Sequence, residues 1–203
     1  MSTMRKMATD TRYKLFAERR RQKVTLFSIF ILAALVVILT GFQPPQDDVT
    51  EEYQVKAAFL LNFAQFVEWP ATDFAGDSSI VIGILGKDPF GSYLHKLVEE
   101  DSTNGHPVVI RNFRTVREIK ECHILYINLP SARLDNTIRA LPKKNILTVS
   151  DGSNFIKVGG MIRFKNESNE EGNKIKLQIN LDALKKTDIV VSSKLLRLSE
   201  IVE

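Results

Sequence analysis

SIVIGILGKDPFG, residues 79–91, decides the fold. Ser79–Leu85 is a short apolar run rich in β-branched residues, the pattern of a buried strand. Asp88-Pro89 then supplies a cap and a first-turn proline, which opens a helix running to about Glu100. A strand that leads into a helix and then into another strand implies parallel pairing through a right-handed crossover.

The same alternation continues downstream. Pro107–Phe113 (PVVIRNF) is a second strand, residues 114–121 a short helix, and His123–Asn128 a third strand. Ser131 caps a helix to Leu141, and Ile146–Ser150 is a fourth strand. After Asp151 the pattern changes. Gly159-Gly160 precedes Met161–Lys165, and Lys174–Leu181 alternates like its partner, so the two form an antiparallel hairpin. The polar Asn166–Asn173 segment between them reads as a long solvated loop. A short helix at Asp182–Lys186, the run Ile189–Val191 and a helical turn at Ser193–Ile201 complete the chain. Residues 50–203 are thus one compact α/β domain with a mixed, mostly parallel sheet flanked by helices. No internal repeat stands out.

Upstream lies EEYQVKAAFLLNFAQFVEWP, residues 51–70. Asp48 or Thr50 can cap this helix, and Glu51 and Glu52 suit the positive end of its dipole. Pro70 is expected to end it. Val55, Phe59, Phe63 and Phe66 recur at helical spacing, and Leu60, Leu61, Ala64 and Val67 widen the apolar face beyond an ordinary stripe. A helix apolar on so many sides is buried or covered by a partner. Phe59, Phe63, Phe66 and Trp69 are the candidate anchors for that partner; the competing reading puts all four in the core.

The uncharged run Val24–Phe42 is 19 residues long, about what a hydrocarbon core requires. Arg19, Arg20, Arg21 and Lys23 precede it, predicting a cytoplasmic N-terminus and an exported remainder. It reads as a transmembrane anchor in the inner membrane or as the h-region of a cleaved signal peptide. The h-region is long for a signal, and no A-x-A site follows. Residues 1–23 form a basic tail and residues 43–49 a linker. The tail holds eight Lys/Arg against two Asp/Glu, which leaves 20 basic and 22 acidic residues for the rest of the chain. The overall net charge of +4 therefore comes from the tail, where anionic lipid attracts it. The exported domain has no basic footprint for nucleic acid.

Chemistry is hard to assemble from these residues. Gly83–Ser92 stands between a strand and a helix, as a phosphate loop would, but lacks both the glycine pattern and the lysine. It reads as a turn with small residues for tight packing. His95, His106 and His123 are scattered without metal-ligand spacing, and Cys122 and His123, being adjacent, point to opposite faces of a strand. No metal and no cofactor is expected. Cys122 is the only cysteine, which excludes an intrachain disulfide; it is open to pairing between chains or to acting as a thiol. Its place between Glu121 and His123, leading into Ile124–Ile127, favours the start of a buried strand. Gly86, Asp88, Asn128 and Asp151 lie at the carboxyl ends of the parallel strands, where α/β sheets bind ligands. They are candidate small-molecule contacts; the competing reading gives the carboxylates to turns and caps. Gly159 and Gly160 read as a turn or bulge needing positive φ.

Four segments in order, VKAAFLLNFAQFVEWP, IGILGKDPFG, ILTVSDGSNFIKVGGMIRF and KLQINLDALKKTDIVVSSKLLRLSEIV, resemble the YfiR family of exported bacterial proteins. The resemblance spans about residues 50–203. It implies a compact α/β domain that tends to homodimerise, and a regulator rather than an enzyme. Name-giving members are periplasmic repressors that hold an inner-membrane diguanylate cyclase inactive and so restrain cyclic-di-GMP and biofilm formation. Others serve sensor kinases or uptake systems, which makes a small-molecule-sensing module the alternative role. The best-known members carry paired cysteines that report periplasmic redox state. With Cys122 alone, that switch is absent here.

Overall fold

The computed structural model describes residues 49–74, 79–100, 106–142, 144–169 and 172–202. The membrane or signal segment expected at residues 24–42 lies outside them, as do the basic tail and most of the linker. Among the described residues no helix is long and apolar enough to cross a membrane. The elements in chain order are α1 (Glu51–Phe66), β1 (Val67–Glu68), a 3-10 turn (Ala71–Phe74), β2 (Ile80–Gly86), α2 (Gly91–Glu100), β3 (Val108–Phe113) and β4 (Ile124–Asn128). There follow α3 (Ser131–Arg139), β5 (Leu147–Ser150), β6 (Ile162–Asn169), β7 (Gly172–Asn180), α4 (Leu181–Leu184), β8 (Val190–Val191), α5 (Ser193–Arg197) and β9 (Ser199–Val202).

Seven strands form one sheet in the order β3-β2-β4-β5-β6-β7-β9. The first five are mutually parallel, β7 runs antiparallel to β6, and β9 runs parallel to β7. The central strands read as continuous apolar runs because both faces of the sheet are covered. Ile80, Ile82 and Ile84 of β2, with Ile124 and Tyr126 of β4, face the core beneath α1. Leu85, Leu125 and Ile127 face a second core with Leu134 of α3 and Phe155. The expected mixed, mostly parallel α/β domain is the observed one.

Gly83 shows why a small residue follows the β-branched run. A Cβ there would stand 2.7 Å from Cys122 Sγ and 2.7 Å from the Phe113 ring. Gly83→Ala is expected to cost about 1–3 kcal/mol by overpacking. Urea unfolding checks this, and an unchanged midpoint would contradict it.

Several expectations are corrected. Residues 114–121 hold only a 3-10 turn at Val116–Glu118, tied by Thr115 Oγ1 and the Arg114 amide donating to the Glu118 carboxylate at 3.0 Å each. Ser131 is the first residue of α3 rather than its cap; Pro130 takes that place, with no side-chain cap. The expected loop Asn166–Asn173 is largely paired strand, in register Asn166↔Ile175 and Glu167↔Lys174. Its charges sit side by side across the ladder: Glu167 pairs with Lys165 at 2.9 Å and Lys176 at 2.6 Å. The expected C-terminal helix stops at Arg197, and Ser199–Val202 instead adds an edge strand to β7. Pro70 does not end α1. The helix stops at Phe66, where the chain turns extended to pair β1 with β8.

Candidate functional site

The elements that could carry function meet where α1 crosses the carboxyl ends of β4 and β5. The side of α1 pressed on the sheet carries Lys56, Ala57, Leu60, Leu61, Phe63 and Ala64. Phe63 is fully buried and stacks on Phe164 with centroids 6.1 Å apart. Trp69, just beyond the helix, is buried beside His123. Phe59 and Phe66 are half-buried at the margin. Val55, which the periodicity puts on the same face as these phenylalanines, is 40% exposed. The buried face is therefore rotated by about one residue from the one the aromatic spacing describes. Among the four candidate anchors, Phe63 and Trp69 are core residues, and only Phe59 and Phe66 reach the surface.

Lys56 begins the buried face, with no exposed side-chain surface. Its ammonium donates to Asp151 Oδ2 at 2.9 Å and to Glu52 Oε1 one turn back along α1. It also lies 4.6 Å from the centroid of the Tyr53 ring, a cation–π distance. Asp151 Oδ2 accepts from the Tyr126 hydroxyl at 3.1 Å and from the Tyr53 hydroxyl at 3.4 Å. Glu52 Oε1 accepts from Asn166 Nδ2 at 2.8 Å. One carboxylate at the end of β5 thus gathers an ammonium and two hydroxyls from α1 and β4.

The charges hold one another. The hydrogen bond from Lys56, then that from Asn166, keeps the Glu52 carboxyl below its usual range. Burial works against the charge on Lys56, but hydrogen bonds to Glu52 and Asp151 outweigh it and raise its pKa. Burial, followed by the charge of Asp151, pushes the Tyr126 hydroxyl far up, so it remains a neutral donor. The cluster binds α1 to the sheet.

The other strand-end candidates have internal partners. Asp88 Oδ1 accepts from the amides of Phe90 at 2.8 Å and Gly91 at 3.3 Å, capping α2, and its Oδ2 accepts from Asn112. Asn128 donates to the Lys87 carbonyl at 2.7 Å. Gly86 has φ +105°, and a Cβ there would fall 2.3 Å from the Asn128 carbonyl oxygen. Gly86, Asp88 and Asn128 therefore share one turn, while Asp151 belongs to the lysine cluster. Gly159 has φ +94°, whereas Gly160 answers to packing: a Cβ there would lie 2.3 Å from the buried Phe155 ring.

Cys122 is buried beneath Gly83 and Phe113. The adjacent His123 turns to the opposite face, stacking on Phe74 and accepting from the Val81 amide through Nδ1 at 3.0 Å. His95 is exposed and His106 half-buried. Among the described residues no group of three His, Cys, Asp or Glu could hold a metal ion.

The residue that sequence reasoning missed is Lys56. A lysine is ordinarily read as solvent-facing. The available signal was its place four residues before Leu60, on the side of the helix that Leu60 and Phe63 make apolar, with Glu52 four residues earlier as an intrahelical partner. The sequence offers Asp151 as a ligand contact or as a turn or cap carboxylate, whereas in the structure it is the partner of Lys56.

The model of a family described as YfiR/HmsC-like matches residues 53–200, from the first turn of α1 into β9. No curated protein matches the chain.

Proposed function

Since the chain belongs to the YfiR/HmsC-like family, we propose that it is a non-enzymatic regulator that docks on the periplasmic part of an inner-membrane signalling protein. The partner is a diguanylate cyclase, which it represses, and residues 24–42 deliver the domain to the exported side. The family match over 53–200 carries this reading.

The outward side of α1 supports it. Val55, Ala58, Phe59, Asn62 and Phe66 follow one another at helical spacing and are exposed or half-buried. No charged side chain interrupts the stripe. Surfaces of that kind, with part-exposed aromatics and few charges, suit a protein interface more than open solvent. The stripe lies on the first element after the linker, and a membrane anchor would raise its effective concentration toward a membrane partner.

Two measurements test the proposal. Deleting the gene is expected to raise cellular cyclic-di-GMP severalfold, and re-expression of the full chain to restore it; an unchanged level rejects repression of a cyclase. A photo-crosslinking residue at Asn62 is expected to capture an inner-membrane protein with a cytoplasmic cyclase domain. Capture of a sensor kinase in its place would move the role to that partner.

A further inference from the structure

A second feature lies at the opposite ends of the strands from Asp151. A cleft of about 310 Å³ opens between the carboxyl end of α3, the starts of β5 and β6, and the turn after α4. Its apolar walls are Ile138, Leu141, Ile146, Met161 and Ala183. Lys144 and Lys186 stand on its rim from segments 42 positions apart in sequence, both exposed.

We propose that this cleft binds a small organic carboxylate with an apolar body, its ring or chain against the Met161 wall and its carboxylate between Lys144 and Lys186. The size falls at the lower end of small-molecule sites, which pair apolar walls with a few convergent polar groups. The sign of the ligand follows from the rim. Among the described residues neither lysine makes an ion pair, and the lining of the cleft includes no Asp or Glu. Asp182 takes Lys185 at 3.4 Å, and Asn145 donates to Asp73 at 2.9 Å and to Asp188 at 3.5 Å. Opposing this, the carboxyl end of α3 presents the negative end of a helix dipole, and an anion there is disfavoured. That helix has only nine residues and carries Arg139 in its last turn, so two full charges outweigh a fractional one.

The polar groups of the walls are occupied, so the apolar part of a ligand meets no stranded donor. Thr148 Oγ1 accepts from the Met161 amide at 3.1 Å, and Thr187 Oγ1 donates to the Leu184 carbonyl at 2.7 Å. Recognition is thus confined to the rim.

The probe is 3-phenylpropionate, with neutral 3-phenylpropanamide as comparator, titrated calorimetrically into the full chain held in lipid nanodiscs. The acid is expected to bind, and to raise the melting temperature as any ligand of the native state does. The amide should bind about tenfold more weakly, the effect of losing a charge-assisted contact. The double variant Lys144→Gln/Lys186→Gln changes only exposed side chains; it should bind the acid no better than the amide. No binding of the acid, equal binding of acid and amide, or full acid affinity in the double variant would each overturn the proposal.

Discussion

Asp151→Ala is expected to destabilise the domain by about 3–5 kcal/mol, the cost of leaving a buried charge without its partner. The substitution strips the fully buried Lys56 of its 2.9 Å contact and removes the acceptor shared by Tyr126 and Tyr53. Glu52 remains, but its side chain is 39% exposed and cannot replace a partner at the sheet. Lys56→Met should cost much less. A methionine fills similar volume, and Asp151, 29% exposed, keeps two hydroxyl donors and access to water. The double variant Lys56→Met/Asp151→Ala should therefore be more stable than Asp151→Ala alone. Urea midpoints of the three variants read this directly; equal losses for both single variants would show that the pair is not the source of the effect.

The same cluster sets a pH dependence. Glu52 has a folded-state pKa below its unfolded value near 4.5. Its contribution is complete above that unfolded value and is lost as pH falls through the lower folded value. Lys56 has a raised pKa, so its contribution is complete below about 10.5 and is lost as pH rises through the higher folded value. Stability of the wild-type domain should be flat between these limits where this cluster is concerned. Glu52→Gln should weaken the fall on the acid side.

The second large effect is at Phe63. Phe63→Ala is expected to cost about 3–5 kcal/mol, as a fully buried aromatic leaves a cavity against Phe164 and Phe59. Phe63→Asp should not fold at all, because it would bury an unpaired carboxylate. Phe66, half-buried at the end of α1, offers the informative contrast. Phe66→Asp should keep the fold, judged by a cooperative thermal transition, and lose the membrane partner in co-purification. If Phe66→Asp retains the partner at wild-type yield, the α1 stripe is not the docking surface. Loss of binding in a Phe63 variant would carry no such meaning, since it reports folding.

Much of the sheet was legible because its strands are local patterns. Runs such as Ile80–Leu85 and Ile124–Ile127 are apolar on both faces, and a capped helix between strands forces parallel order. The errors cluster where a segment's state is set by a distant neighbour. Asn166–Asn169 has loop composition, yet it is strand because β7 offers paired backbone groups and opposite charges. Ser199–Val202 follows a helix-like run, yet it becomes β9 because the edge of β7 is available. Val67–Glu68 leaves the helix three residues ahead of Pro70 to meet Val190–Val191.

What the sequence determined by itself was the α/β alternation, the family pattern and the apolar excess of residues 51–70. Periodicity states that a helix has a buried side, but not which of two overlapping apolar stripes turns inward. Only the tertiary structure decided that. Leu60, Phe63 and Ala64 went to the sheet, Val55 went to solvent, and Lys56 met a carboxylate 95 positions away. The physical reason is that a buried ammonium is tolerable only beside an acceptor that the topology brings to it. Asp151 reaches Lys56 because β5 ends beneath α1, and no local reading of either residue contains that fact.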